Sequence, residues 1–227
     1  MKLLLFDIDG TIVLTHGVGR RSVERALSET CGRPIDASSV TFSGKTDPQI
    51  IAEVLDVNGF DRATFNGLER RALSAYQRFM ESSLVSARVE LLPGVAALIK
   101  HLDGRNDVQL ALLTGNLEPL AYRKLRAVGL DCFFAFGAFG SDHPDRYHLP
   151  PIAVERALHH TGRRFEGRDV VIIGDTEHDI GCGRGIGALS VGVCTGQYDR
   201  ACLRGHGADV LFDRLDNTQA FVDAVLQ

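Results

Sequence analysis

Short apolar runs recur along the chain at Lys2–Asp9, Val108–Thr114, Cys132–Phe136, Asp169–Asp175, Leu189–Cys194 and Val210–Phe212. Runs of this length without strict alternation predict strands buried on both faces, as in a parallel sheet. Helical periodicity separates most of them. Val95, Leu98, Ile99 and Leu102 fall at i, i+3, i+4 and i+7, with Pro93 expected at the first helical position. Leu117, Leu120, Ala121 and Val128 share one face, and Gly129 stops that helix. Pro150 and Pro151 precede a helix carrying Val154, Ala157 and Leu158. Alternating strands and helices predict βαβ units and an α/β fold with helices covering both faces of the sheet.

Residues 15–89 break this rhythm and contain no convincing strand run. Val23, Ala26 and Leu27 begin one helix, and Ile51, Val54 and Leu55 mark a second. Leu68, Ala72, Ala75, Tyr76, Phe79 and Met80 form a longer third stripe. The block therefore reads as a helical cap, 15–89, inserted into a core made of 1–14 and 90–227. Loops after the carboxyl ends of parallel strands are where such sheets bind ligands, and an insertion there can exclude water.

Composition narrows the functional classes. The net charge is −4 and the pI about 6.1, with no basic block, which argues against a nucleic-acid binder. No apolar stretch approaches the ~20 residues of a membrane span, and the run Leu3–Phe6 meets Asp7 too soon for a signal peptide. The cysteines at 31, 132, 182, 194 and 202 are odd in number and show no C-x-x-C spacing, so reduced thiols in a cytoplasmic protein are expected.

The candidate chemistry lies at three strand ends. Asp7-x-Asp9 follows the first run, Thr114-Gly115-Asn116 the second, and Gly174-Asp175-Thr176 the fourth, with Asp179 four residues beyond Asp175. Strand ends of one parallel sheet share an edge, so these groups can converge. Side chains two apart on a strand point the same way, so Asp7 and Asp9 can face one spot at the carboxyl end of the first strand. A carboxylate about 4 Å from a phosphate dianion meets roughly 8 kcal/mol of repulsion at an effective dielectric of ~20. Mg²⁺ on oxygen ligands such as Asp7 and Asp175 would offset much of it. The Thr114 hydroxyl and the Gly115 N–H could then hold a phosphoryl oxygen while Asp7 attacks phosphorus and Asp9 protonates the leaving alcohol.

These segments resemble the haloacid dehalogenase superfamily, in its phosphoglycolate-phosphatase-like branch. FDIDGT (6–11), LLTGN (112–116) and GDTEHD (174–179) match its first, second and fourth motifs, and the likeness runs from residue 2 to about 212. The resemblance implies a Rossmann-like core with a helical cap, Mg²⁺ dependence, an aspartyl-phosphate intermediate and a small phosphorylated metabolite as substrate. It implies Asp7 as nucleophile and metal ligand, and Asp9 as acid/base with its backbone carbonyl on the metal. Thr114 is implied as a phosphate ligand, Asp175 as a metal ligand, and Asp179 as support for the metal or its water.

The third motif departs from the pattern, because Ser141–Pro151 lacks the usual lysine. Two cations compete for its place. Arg146 is permanently charged and can fork onto phosphate oxygens, while His148 fits the usual spacing but is mostly neutral near pH 7. The permanent charge favours Arg146. In the cap, Ser43–Pro48 reads as a turn into a helix with Asp47 as N-cap and Pro48 at the first helical position. The resemblance implies a substrate-selecting loop there, with Lys45 as its candidate residue. A phosphomutase using the same aspartates, and a catalytically degenerate phosphate-binding regulator, are the alternative functions. A C–halogen or phosphonate hydrolase is disfavoured by Asp9, by analogy with the family.

Overall fold

The computed structural model describes residues 1–61, 65–84 and 89–226; parts of the expected cap, 62–64 and 85–88, lie outside the described residues. The core strands are β1 (Lys2–Phe6), β4 (Val108–Thr114), β5 (Gly137–Phe139), β6 (Val170–Gly174), β7 (Leu189–Val193) and β8 (Val210–Phe212). They form one six-stranded sheet in the order β5-β4-β1-β6-β7-β8. Every pairing in it is parallel, giving an α/β Rossmann-like core.

Strand periodicity divides the core in two. Leu4 and Phe6 of β1, Leu110 and Leu112 of β4, and Val171 and Ile173 of β6 belong to one apolar cluster. Their neighbours Leu3, Leu5, Ala111, Leu113, Val170 and Ile172 belong to the other. Helices α4 (Val95–Asp103), α5 (Glu118–Ala127) and α9 (Thr218–Val225) cover the first face, and α6 (Leu149–Thr161) covers the second. Shorter helices α7 (Glu177–Cys182) and α8 (Arg200–Gly205) follow β6 and β7.

Three expectations shift. The strand placed on Cys132–Phe136 is a 3₁₀ turn at Asp131–Phe133 followed by β5 at Gly137–Phe139. The aromatic run carried the β-propensity, yet Gly137 is the residue that meets β4, where an added Cβ would lie 2.6 Å from Leu112 Cβ. Pro93 stands outside α4, because Gly94 is the N-cap, with φ +81. Pro150 and Pro151 lie inside the first turn of α6, where no N–H is needed.

Between the first and second core strands the chain forms α1 (Val18–Cys31), α2 (Asp47–Val57) and α3 (Phe65–Ser83). Val23, Ala26 and Leu27 pack with Ala72, Ala75, Tyr76 and Met80, all buried. The chain leaves and re-enters the sheet through a short antiparallel ribbon, β2 (Val13–Leu14) on β3 (Glu90–Leu91). Two residues per strand are too few for any periodicity to show in the sequence.

Candidate active site

A cavity of about 370 Å³ opens between the carboxyl edge of the sheet and the helical insertion. Asp7, Asp9, Thr114, Asn116, Lys124 and Arg146 are among its walls. β1 stops at Phe6, although the Asp7 N–H still bonds the Ile173 carbonyl at 2.9 Å. The chain then turns sharply. Ile8 O accepts from the N–H groups of Thr11, Ile12 and Val13, and Gly10 takes φ +83. Asp9 therefore leaves the strand alternation, and the two aspartates line one cavity while bonding different partners.

Asp7 belongs to a buried acidic triad. Its carboxylate and those of Asp175 and Asp179 offer oxygens all within 4.8 Å of one another. Asp175 sits in a cradle that only glycines permit: an added Cβ would lie 2.4 Å from its Oδ2 at Gly10 and 1.6 Å at Gly196. Asp179 completes a capping box at the start of α7, its Oδ2 accepting from the Thr176 N–H at 3.0 Å. Burial pushes the Asp7 carboxyl up to about 7, against the pull of Arg146. Burial, then Asp179 and Asp7, raise Asp175 well above the usual carboxylate range.

Arg146 is the cation inside this triad. It is 3% exposed and donates to Asp7 Oδ1 at 3.0 Å, to Asp179 Oδ1 and to the Leu113 carbonyl at 3.1 Å. Burial opposes its charge, but Asp179 and Asp7 outweigh that and hold the guanidinium protonated. Its Nε is a buried donor without a partner among the described residues. His148 lies outside, its side chain 61% exposed and 3.7 Å from Asp145.

Asp9 pairs instead with Lys124, a residue that periodicity alone did not single out. The Lys124 ammonium donates to both Asp9 oxygens at 2.8 and 2.6 Å and to Asn116 Oδ1 at 2.6 Å. Asn116 Nδ2 donates in turn to Asp9 Oδ2 at 2.8 Å and to Thr114 Oγ1 at 2.7 Å. Thr114 is fully buried; accepting from Asn116 leaves its own O–H to be donated. The signal for Lys124 was present in the chain: it continues the apolar stripe Leu117–Leu120–Ala121 of α5, where a lysine needs buried partners.

The insertion reaches the core through residues 44–47. Thr46, not Asp47, caps α2, accepting from the Gln49 N–H, so Asp47 becomes the first helical residue. The Asp47 carboxylate is thereby free to accept from Tyr76 O–H at 3.0 Å and from the Leu117 N–H at 2.7 Å. Its own N–H bonds the Gly115 carbonyl at 2.8 Å, and Arg146 donates to Gly44 O at 3.3 Å. An added Cβ at Gly115 would lie 2.1 Å from the Lys45 carbonyl. The Lys45 ammonium is turned to Glu53 at 2.5 Å on α2 while the residue lines the cavity.

Burial raises the Asp47 carboxyl to about 6, with Lys124 and the Leu117 N–H pulling the other way. The folded chain holds this proton to about pH 6, while the unfolded chain releases it near pH ~4. The unfolded state binds fewer protons across that window, so stability falls as pH rises through it. Asp47→Asn keeps an acceptor for Leu117 and a partner for Tyr76. Its stability relative to wild type is therefore expected to rise by about 1–3 kcal/mol between pH ~4 and ~6. Urea unfolding at several pH values reads this, and a constant difference would contradict the assignment.

The family model for haloacid dehalogenase-like hydrolases matches residues 1–187. A phosphoglycolate phosphatase of Neisseria meningitidis is 27% identical over 207 residues, covering 89% of this chain and 84% of the relative. The pyrophosphatase PpaX of Listeria innocua is 22% identical, covering 96% and 95% respectively. The β-phosphoglucomutase structure from Clostridium difficile superposes with TM-score 0.70 at 18% identity, covering 100% of this chain and 97% of that one. A family model spanning most of the chain, on a parallel sheet whose edge gathers its acidic residues, makes this protein an enzyme of the haloacid dehalogenase-like hydrolase family.

Proposed function

We infer that the cavity hydrolyses a small phosphomonoester with Mg²⁺ as cofactor, through a phosphoryl group carried on Asp7. The observation that carries this reading is the buried triad Asp7, Asp175 and Asp179 with the Arg146 guanidinium bonded to the proposed nucleophile. The similarity to phosphoglycolate phosphatases and to PpaX pyrophosphatases supports phosphate ester or anhydride chemistry.

The residues present fit Mg²⁺. They offer hard carboxylate oxygens at one buried point, and one guanidinium cannot neutralise three carboxylates there. Asp7, Asp175, Asp179 and the Asp9 backbone carbonyl would hold it; the Asp9 side chain, occupied by Lys124, would not. When bound, the ion screens the phosphate charge from the attacking carboxylate.

This chain's own groups do the rest. Thr114 donates its O–H to a phosphoryl oxygen, and the Gly115 N–H and Asn116 line the same edge. Arg146 keeps a positive charge beside Asp7 and has a donor unspent. Asp7 attacks phosphorus as the ester oxygen leaves. Asp9 gives that oxygen its proton, then takes one from the water that cleaves the acyl phosphate. The helical insertion serves as the cap over the cavity, with Lys45 on its wall.

No helix among the described residues is long and apolar enough to cross a membrane. All five cysteines are free, which suits a reducing compartment such as the cytoplasm. The test is inorganic phosphate release over a panel of phosphorylated metabolites with Mg²⁺. Turnover is expected to fall by at least about 100-fold in EDTA and to return when Mg²⁺ is restored. Undiminished release in EDTA would defeat the metal assignment, and conversion without phosphate release would indicate a mutase.

A further inference from the structure

We propose that Lys124 is the positioning residue of Asp9, setting the carboxylate's place on the cavity wall and acting on turnover through it. The proposal rests on the acid/base reading of Asp9. An ammonium has three N–H donors, and Lys124, 3% exposed, spends all three within this group: two on the Asp9 oxygens and one on Asn116 Oδ1. Among the described residues, the other side chain that donates to Asp9 is Asn116, through Nδ2 at 2.8 Å, and Asn116 is itself held by the lysine. Asp9 follows the end of β1 in the Gly10 turn, and its side chain is 41% exposed.

The same lysine fixes Asn116. A cation accepts no hydrogen bond, so the amide must present its oxygen to Lys124, which sends its nitrogen to Asp9 and Thr114. Lys124 thereby orders a chain of three groups on the cavity edge. It does so from α5, a helix packed on the sheet through Leu120, Ala121 and Leu125, which gives the arrangement a rigid base. The remaining charged group facing it is Asp47 of the insertion, whose carboxyl is influenced by Lys124.

Leaving-group dependence separates this role from a structural one. Phenyl phosphate expels a poor leaving group that needs a proton, whereas 4-nitrophenyl phosphate expels a good one that does not. Lys124→Met is expected to slow single-turnover phenol release from phenyl phosphate by about 10–100-fold, a partial loss of the roughly 10²–10⁴-fold that a general acid contributes. It should slow the single-turnover release of 4-nitrophenolate, which needs no proton from Asp9, by less than about 3-fold, whereas steady-state kcat falls on both esters because Asp9 also acts on the water of the second step. In an Asp9→Asn background the same substitution should add no further loss. Lys124→Gln, which keeps a donor to Asp9, should fall between and provides the measurement if the methionine variant does not fold.

Equal losses of single-turnover release from the two esters, or a full loss added to Asp9→Asn, would overturn the positioning role while leaving the acid/base reading intact. If Asp9→Asn alone spared phenyl phosphate, the acid/base reading itself would fall.

Discussion

Asp7→Asn is expected to abolish phosphate release, by about 10⁴-fold or more, without unfolding the protein. The amide has nearly the shape of the carboxylate but cannot attack phosphorus. Stability should hold or rise in EDTA, because burial already pushes Asp7 up to about 7 and an ionised group there repels Asp179. A neutral residue removes that repulsion, and Arg146 keeps its bond to Asp179. Phosphate release and thermal unfolding, measured on the same sample in EDTA and in Mg²⁺, separate the two effects. Near-normal turnover would defeat Asp7 as nucleophile.

Arg146→Ala is expected to damage both activity and stability. The guanidinium is buried with Asp7 and Asp179, and removing one partner from such a group leaves uncompensated charge, costing about 3–5 kcal/mol. Mg²⁺ should restore part of that stability, since it would occupy the same acidic point. Turnover should still fall by about 10²–10³-fold, the scale for losing a fixed charge aimed at the transition state. His148→Ala, on a side chain 61% exposed, should change kcat by less than about 2-fold. A larger effect from His148 than from Arg146 would reverse the assignment of the screening cation.

The sheet was legible wherever burial on both faces made a continuous apolar run. Val108–Thr114 and Val210–Phe212 match their predicted bounds, and β1, β6 and β7 differ only at their ends. The 132–136 run misled because aromatic β-propensity is a property of single residues. The position of β5 is set by how closely Gly137 can approach Leu112. Asp7, Asp175 and Asp179 could be read as one cluster because parallel strands bring their ends to one edge.

The surroundings of Asp9 were less legible. Alternation joined it to Asp7, whereas the turn at Ile8 and Gly10 carries it toward α5. Which helix faces that turn is decided by the crossover from β4, which no local pattern records. Thr46 and Asp47 show the same limit on a smaller scale. Either residue can cap a helix, and a one-residue shift decides whether a carboxylate is spent on its own backbone or on the core.

Gly115 has a consequence beyond phosphate contact. Its Cα face meets the Lys45 carbonyl, and its own carbonyl leaves no room for a side chain at Gly140, where an added Cβ would lie 2.1 Å away. Three layers of main chain are stacked there with nothing between them. Position 115 therefore works as a gauge: the bulk it carries fixes how low the roof can descend over the reaction chamber. A designer seeking room for bulkier esters could begin with that spacer and leave every polar group at its post.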